Sequence, residues 1–153
     1  MYADDILKVL NPLEKTIIHI PSVNSRESTK DKLREVDHIL EELGEFDGLD
    51  EFCDHYLATI NELPIGTARI REEKKGALKI ERMAVLKEHR KKGVGKAIIK
   101  EILKHYLNLN QVNNLTLNSQ IEAKDFYKKF GFVEVGEEFV EANIIHQKMI
   151  YNV

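Results

Sequence analysis

The segment ALKIERMAVLKEHRKKGVGKAIIKEILKHYL (77–107) changes its hydrophobic period halfway along, and that change constrains the fold more than any other feature of the chain. ALKIERMAVL (77–86) alternates as a half-buried strand does. From Gly95 to Leu107 the period lengthens, placing Ala97, Ile98, Ile102 and Tyr106 on one helical face with Lys96, Lys100 and Lys104 opposite. Between them lies Arg90-Lys91-Lys92-Gly93-Val94-Gly95-Lys96-Ala97. A helix that starts here offers unpaired backbone N–H groups and the positive end of its dipole. Gly93 and Gly95 lack side chains, so a diphosphate can reach the backbone, and the cations add attraction. The alternative is an ordinary glycine turn with a solvated basic face. GxxxxGK[ST] is absent, because Ala97 follows Lys96, so this is not a P-loop.

Other elements follow the same reasoning. A short helix is expected over 2–10, a strand at TIIHI (16–20) ended by Pro21, and an amphipathic helix from Ser28 to Leu43 closed by Gly44. GEFDGLDEFCD (44–54) reads as a loop. HYLATI (55–60) and IGTARIR (65–71) form strands around the turn NELP, and EEKKG (72–76) turns into the long strand. NLTLNS (114–119) is a strand. Ala123, Phe126, Tyr127 and Phe130 mark a helix ended by Gly131, and FVEVGEEFV and NIIHQKMIYNV are two closing strands. The chain of 153 residues fits one domain, 1–153, of mixed α/β class.

Composition narrows the function. A net charge of −3 gives no global attraction for nucleic acid. The single cysteine, Cys53, permits no internal disulfide and reads as a buried small apolar residue. No apolar run approaches the roughly 18 residues of a membrane span, and MYADDILKVL lacks a signal peptide's basic start. A soluble cytoplasmic protein without membrane or nucleic-acid partner is expected. No paired histidines suggest a metal.

The segment RMAVLKEHRKKGVGKAII resembles the acetyl-CoA-binding motif of the GNAT superfamily, Arg/Gln-x-x-Gly-x-Gly/Ala after a long central strand. The resemblance continues through LTLNSQIEAKDFYKKFGFVEVGEEF, with FYKKFGF as its most recognisable part, and covers about 53–149. It implies the acyl-CoA N-acyltransferase fold: a twisted, mostly antiparallel sheet of 6–7 strands flanked by about four helices. It also implies acetyl-CoA as co-substrate, no metal, and direct attack by a primary amine on the thioester. The N–H groups from Arg90 or Lys91 through Lys92, Gly93, Val94, Gly95 and Lys96 would then hold the pyrophosphate. The backbone of Met83, Ala84 and Val85 would pair with the pantetheine arm, one N–H facing the thioester carbonyl.

An acceptor amine must be neutral to attack, and the leaving thiolate benefits from a proton. An amine of pKa ~10.4 is neutral about one time in 10³ at pH 7, a cost of roughly 4–5 kcal/mol, and an amino sugar asks less. Glu81, which alternates with Met83 and Val85, is the candidate base or amine-orienting carboxylate; the structural alternative is a cross-strand partner for Lys79 or Arg69. Tyr127 is the candidate acid for the sulfur, the place the family gives the tyrosine of its FY pair; otherwise it is a core aromatic. Asn118, at the end of its strand, is placed to bind cofactor or acceptor by its amide, or to form a turn. Lys124 and Lys128 are expected to be solvated.

KIERMAV and LNSQIEAKDFYKKFGF also resemble glucosamine 6-phosphate N-acetyltransferases, with Glu81 at a matching position and Asn118 where many of them carry an acid. That makes glucosamine 6-phosphate the leading acceptor, with a peptide or protein amine or a polyamine as alternatives. His146, with Glu137, Glu138 and Glu141, resembles the C-terminal pattern of an ElaA- and YjcF-like bacterial branch and would line the acceptor pocket or close a homodimer interface. His38 and Glu41 on the first long helix are further acceptor-facing candidates. A non-catalytic module binding RNA or an acidic partner through KEHRKKGVGK is the competing class. No aromatics are interleaved there to stack on bases.

Overall fold

The computed structural model describes residues 15–20 as backbone, and 53–61 and 63–152 in full. The expected helices at 2–10 and 28–43, most of the 44–54 loop, and His38 and Glu41 lie outside the described residues. The elements are β1 (Lys15–Ile20), β2 (Asp54–Ile60), β3 (Leu63–Lys74), β4 (Ala77–Val85), α1 (Val94–Tyr106), β5 (Asn114–Gln120), α2 (Lys124–Lys128), β6 (Val133–Glu134), β7 (Phe139–Glu141) and β8 (Ile144–Asn152). Single 3-10 turns at Lys87–His89 and Ile121–Ala123 precede the two helices. The strands follow the order β1-β2-β3-β4-β5-β8-β6, with β7 also on β8. The chain folds into two compact units, the first reaching Ile70 and adding Arg82–His105, the second comprising Arg71–Glu81 and the chain from Tyr106 onward.

In the first unit β1 runs antiparallel to β2, from Lys15↔Ile60 to Ile20↔His55, and β2 antiparallel to β3 with a register shift at Ala58/Thr59. NELP does turn the chain, with Asn61 taking φ +49. Tyr56, Leu57, Ala58, Ile65, Ala68 and Ile70 from β2 and β3 are buried, as are Val94, Ile98, Ile99 and Ile102 of α1. Lys96, Lys100 and Lys104 are exposed, so the apolar stripe of α1 faces inward as its 3.6-residue period requires. Cys53 is buried at 2% exposure.

In the second unit Ala77–Ile80 of β4 pair parallel with Asn114–Leu117 of β5. A parallel pair needs a long crossover, and α1 lies within it. β5 then pairs antiparallel with β8 along its whole length, so the last strand separates β5 from β6. Leu115, Leu117, Met149 and Phe132 are buried here.

Among the described residues the path of the sheet runs through seven strands, as expected, with the short β7 added on β8. Two details differ from the sequence reading. FVEVGEEFV is two short strands, because the Gln147 amide donates to Val135 O (2.9 Å) and Gly136 O (3.1 Å), taking carbonyls that a continuous ladder would use. The helix expected from Ala123 to Phe130 is only five residues long, because 121–123 wind as 3-10.

Candidate active site

β4 leads into the basic loop through a defined chain of bonds. Leu86 N–H donates to Ile65 O (2.8 Å), fixing the end of β4 against β3. The 3-10 turn follows, and Arg90 N–H donates to Lys87 O (3.3 Å) while Arg90 Nε donates to Val85 O (2.9 Å). Arg90 therefore braces the loop with its side chain and spends its own amide on the turn. Lys91 (φ +61) and Gly93 (φ +82) are both left-handed, and a Cβ at Gly93 would meet nothing within 4 Å. The first bond of α1 joins Ala97 N–H to Gly93 O at 3.0 Å. The amides of Val94, Gly95 and Lys96 thus precede any i→i−4 acceptor and sit at the positive end of the dipole. The first turn contains no acid, and Lys91, Lys92 and Lys96 are exposed beside it. Open space at Gly93, amides at the positive end of the helix and exposed lysines beside them fit a diphosphate.

Met83, Ala84 and Val85 are half-buried on the last part of β4. The Val85 carbonyl accepts from Arg90 Nε. Gly66 of β3 lies beneath: a Cβ there would come within 3.1 Å of Ala84 O and 3.2 Å of Val94 Cγ1. This residue was missed in the sequence, although an isolated glycine inside a strand pattern signals close backbone approach. Arg82 takes φ +53, which interrupts strict alternation between Glu81 and Met83. The single face expected for Glu81, Met83 and Val85 is therefore not continuous.

The remaining candidates lie in the second unit. Glu81 accepts from Arg71 Nε at 2.7 Å and faces Lys79 Nζ at 3.8 Å. Lys79 is the structural partner the sequence offered, and Arg71, on the same strand β3 as Arg69, which runs on to Lys74, joins it. Asn118 is half-buried and follows the last registered β4–β5 pair, Ile80↔Leu117, while pairing with Lys148 of β8. Tyr127 sits on α2 with its ring edge-on to Phe126 (5.0 Å) and Phe132 (6.1 Å), and its carbonyl accepts from Phe130 N–H (3.0 Å). Burial pushes its phenol up to about 12. A group so held is a hydrogen-bond donor at any physiological pH. Gly131 closes this helix at φ +102, and a Cβ there would strike Tyr151 Cε2 at 2.9 Å, so both conformation and space require glycine in FYKKFGF.

Two lysines depart from expectation. Lys124 and Lys128 are not simply solvated: both bond the Glu134 carboxylate, at 2.6 and 3.3 Å, and Lys124 also faces Glu138 at 4.0 Å. Those bonds raise the Lys124 ammonium and hold Glu134 below the usual carboxylate range. His146 is buried on β8, its Nδ1 2.8 Å from Ile144 O and its ring stacked on Phe139.

β4 and β5 pair in parallel, and the stretch of chain between them contains α1. The family model for the acetyltransferase (GNAT) domain matches residues 27–153. YjcF, an uncharacterized N-acetyltransferase of Bacillus subtilis (strain 168), is 38% identical over 107 residues, 69% of this chain and 75% of its own. Escherichia coli ElaA has the same fold at TM-score 0.70 and 22% identity, over 89% of this chain and 98% of that one. So does Arabidopsis thaliana Naa50, solved with the bisubstrate analogue CoA-Ac-MVNAL, at TM-score 0.67 and 19% identity over 92% and 99%. The chain belongs to the GNAT acetyltransferase family and is an enzyme of that class, whose fold uses acetyl-CoA. Among the described residues no helix is long and apolar enough to cross a membrane.

Proposed function

We propose that this enzyme transfers the acetyl group of acetyl-CoA to a small primary amine by direct attack, with an amino-sugar phosphate, glucosamine 6-phosphate, as the leading acceptor. The observation that carries the donor side is the Gly93 turn: left-handed, open in front, and followed by the amides of Val94, Gly95 and Lys96 with no acid in the first helical turn. Acetyl-CoA supplies an activated acyl group on sulfur. Lys91, Lys92 and Lys96 contribute attraction for the diphosphate, while Arg90 holds the loop to Val85. The Met83 and Ala84 backbone orients the pantetheine arm, and Tyr127 gives a hydrogen bond or proton to the departing sulfur. Asn118 contacts cofactor or acceptor through its amide.

Glu81 supports a weakly basic acceptor. A carboxylate already bonded to Arg71 and faced by Lys79 is suited to orienting an amine and less suited to removing a proton from a strongly basic one. An amino sugar makes the smaller demand. The similarity of KIERMAV and FYKKFGF to glucosamine 6-phosphate N-acetyltransferases supports the same choice. The whole chain is read as one catalytic domain working in the cytoplasm, where acetyl-CoA is made available. The test is thiol release from acetyl-CoA with glucosamine 6-phosphate, glucosamine, spermidine and a lysine peptide. Response to the phosphorylated sugar alone supports the acceptor; response to the peptide or polyamine instead replaces it.

A further inference from the structure

We infer that Tyr151 is a positioning residue for Tyr127: through Phe132, its ring fixes where the Tyr127 phenol points. This rests on the acetyltransferase reading above, in which Tyr127 serves the departing sulfur. The ring contacts that carry it all lie within the second unit. The Tyr127 ring stands edge-on to Phe126 at 5.0 Å and 88°, and to Phe132 at 6.1 Å and 73°. Tyr151 in turn meets Phe132 edge-on at 5.5 Å and 63°. Edge-to-face contacts constrain direction as well as distance, because the positive rim of one ring faces the negative face of the next.

The backbone explains how a residue of the last strand reaches α2. Tyr127 O accepts from Phe130 N–H (3.0 Å) and from Phe132 N–H (3.4 Å), so the chain folds back over the end of the helix. Gly131 makes that fold at φ +102, its N–H donating to Lys128 O at 3.0 Å. A Cβ at Gly131 would meet Cε2, Cδ2 and Cζ of Tyr151 at 2.9, 3.4 and 3.9 Å. The Tyr151 ring therefore rests against the bare Gly131 Cα and against Phe132 at once, as a stop behind the turn. Its own place is set by the β5–β8 ladder, where Tyr151 pairs with Leu115 and Met149 with Leu117 on one face. Leu115, Leu117, Met149 and Phe132 are all buried, which leaves that stop little slack.

The helix that carries Tyr127 needs such a stop. α2 is five residues long and has no side-chain cap bond, so its own ladder holds the ring weakly. Phe126 sits on the same helix and moves with Tyr127. Phe132 and Tyr151 instead tie the ring to the sheet. A phenol displaced by about 1 Å loses its line to a leaving atom, and misplacement of that size costs up to about 10²-fold in rate.

Two measurements test this on the intact protein. The first is a double-mutant cycle on kcat for thiol release, with whichever panel amine responds, over wild type, Tyr151→Ala, Tyr127→Phe and the pair together. Tyr151→Ala is expected to lower kcat about tenfold with the acetyl-CoA KM nearly unchanged. In the Tyr127→Phe background the same substitution should change kcat by less than about twofold, because the group it positions is gone. Tyr151→Phe keeps the ring and should restore the rate. The second is proton NMR of the wild type, which reads the contacts even if Tyr151→Ala does not fold. Cross-peaks from the Phe132 ring to both Tyr127 and Tyr151 are expected. Their absence, an unchanged kcat in Tyr151→Ala, equal losses in the two backgrounds, or no rescue by Tyr151→Phe overturns the positioning role alone. A Tyr127→Phe variant at full wild-type rate, or a wild type that releases no thiol with any amine, overturns the role given to Tyr127 and this inference with it.

Discussion

Glu81 accepts a 2.7 Å hydrogen bond from Arg71 Nε across the β3–β4 pair, with Lys79 beside it on its own strand. The bond fixes where the carboxylate points before any substrate arrives. If Glu81 orients the acceptor, Glu81→Gln keeps a neutral acceptor of similar shape and lowers kcat/KM by about 10²-fold with little change in acetyl-CoA binding. Arg71→Ala frees the carboxylate to wander and raises the amine KM by a smaller factor. Steady-state kinetics on both variants with one responding amine checks this; equal activity of Glu81→Gln and wild type removes Glu81 from the site.

Gly66 supports the donor strand from beneath. Ala at this position places a methyl 3.1 Å from Ala84 O and 3.2 Å from Val94 Cγ1, and a backbone carbonyl cannot rotate away. The strand or the start of α1 must shift, so Gly66→Ala is expected to raise the KM for acetyl-CoA at least about tenfold, which corresponds to roughly 1.4 kcal/mol. The amine KM should change less. Kinetics with each substrate varied in turn separates the two effects.

Tyr127 keeps its proton because burial opposes the phenolate, up to about pH 12. Tyr127→Phe should therefore reduce kcat by roughly 10²–10⁴ at all accessible pH values, without removing any limb from the pH–rate profile. Stability carries the matching signature. The folded phenol binds its proton more tightly than the unfolded one, so its contribution is full below pH ~10 and is lost as pH rises toward about 12. Thermal melts of wild type and Tyr127→Phe between pH 9 and 12 should converge as alkali is added.

Glu134 is held below the ordinary carboxylate range by bonds from Lys124 first and Lys128 second. Its stabilising contribution is present above the unfolded carboxylate pKa and disappears as pH falls through the lower folded one. Both groups of the main pair meet solvent, so the effect is small and weakens with salt. Melting curves from pH 2 to 6 should show less acid sensitivity for Glu134→Gln than for wild type, and the difference should shrink at high ionic strength.

The period change at 86–95 made the strand, the loop and the helix legible, because alternation and a 3.6-residue stripe are direct consequences of backbone geometry. Ile98, Ile102 and Tyr106 are buried as that stripe implies, and Ala97 is half-buried. What escaped the sequence depends on pairing between distant segments. That Arg71 bonds Glu81 depends on how β3 and β4 pair, which the strand pattern alone does not fix. Lys124 and Lys128 meet Glu134 because β6 docks on β8, and nothing in local charge spacing encodes that. At the break between β6 and β7 Gly136 is left-handed and Gln147 binds Val135 O and Gly136 O, a side-chain contact that a two-residue pattern does not show. The left-handed Arg82 is invisible for a different reason, since arginine carries no preference for that conformation.

The measurement that bears most directly on the account is calorimetric titration of acetyl-CoA into wild type and Gly93→Val, with melting temperatures for both. A side chain at this exposed position meets no core atom but fills the open space in front of the loop, and valine also strains the left-handed backbone there. The wild type should bind saturably and the variant at least about tenfold more weakly, with at most a modest drop in melting temperature. Equal affinity in the two proteins, or no heat with wild type at saturating acetyl-CoA, would contradict a donor seated on the Gly93 turn.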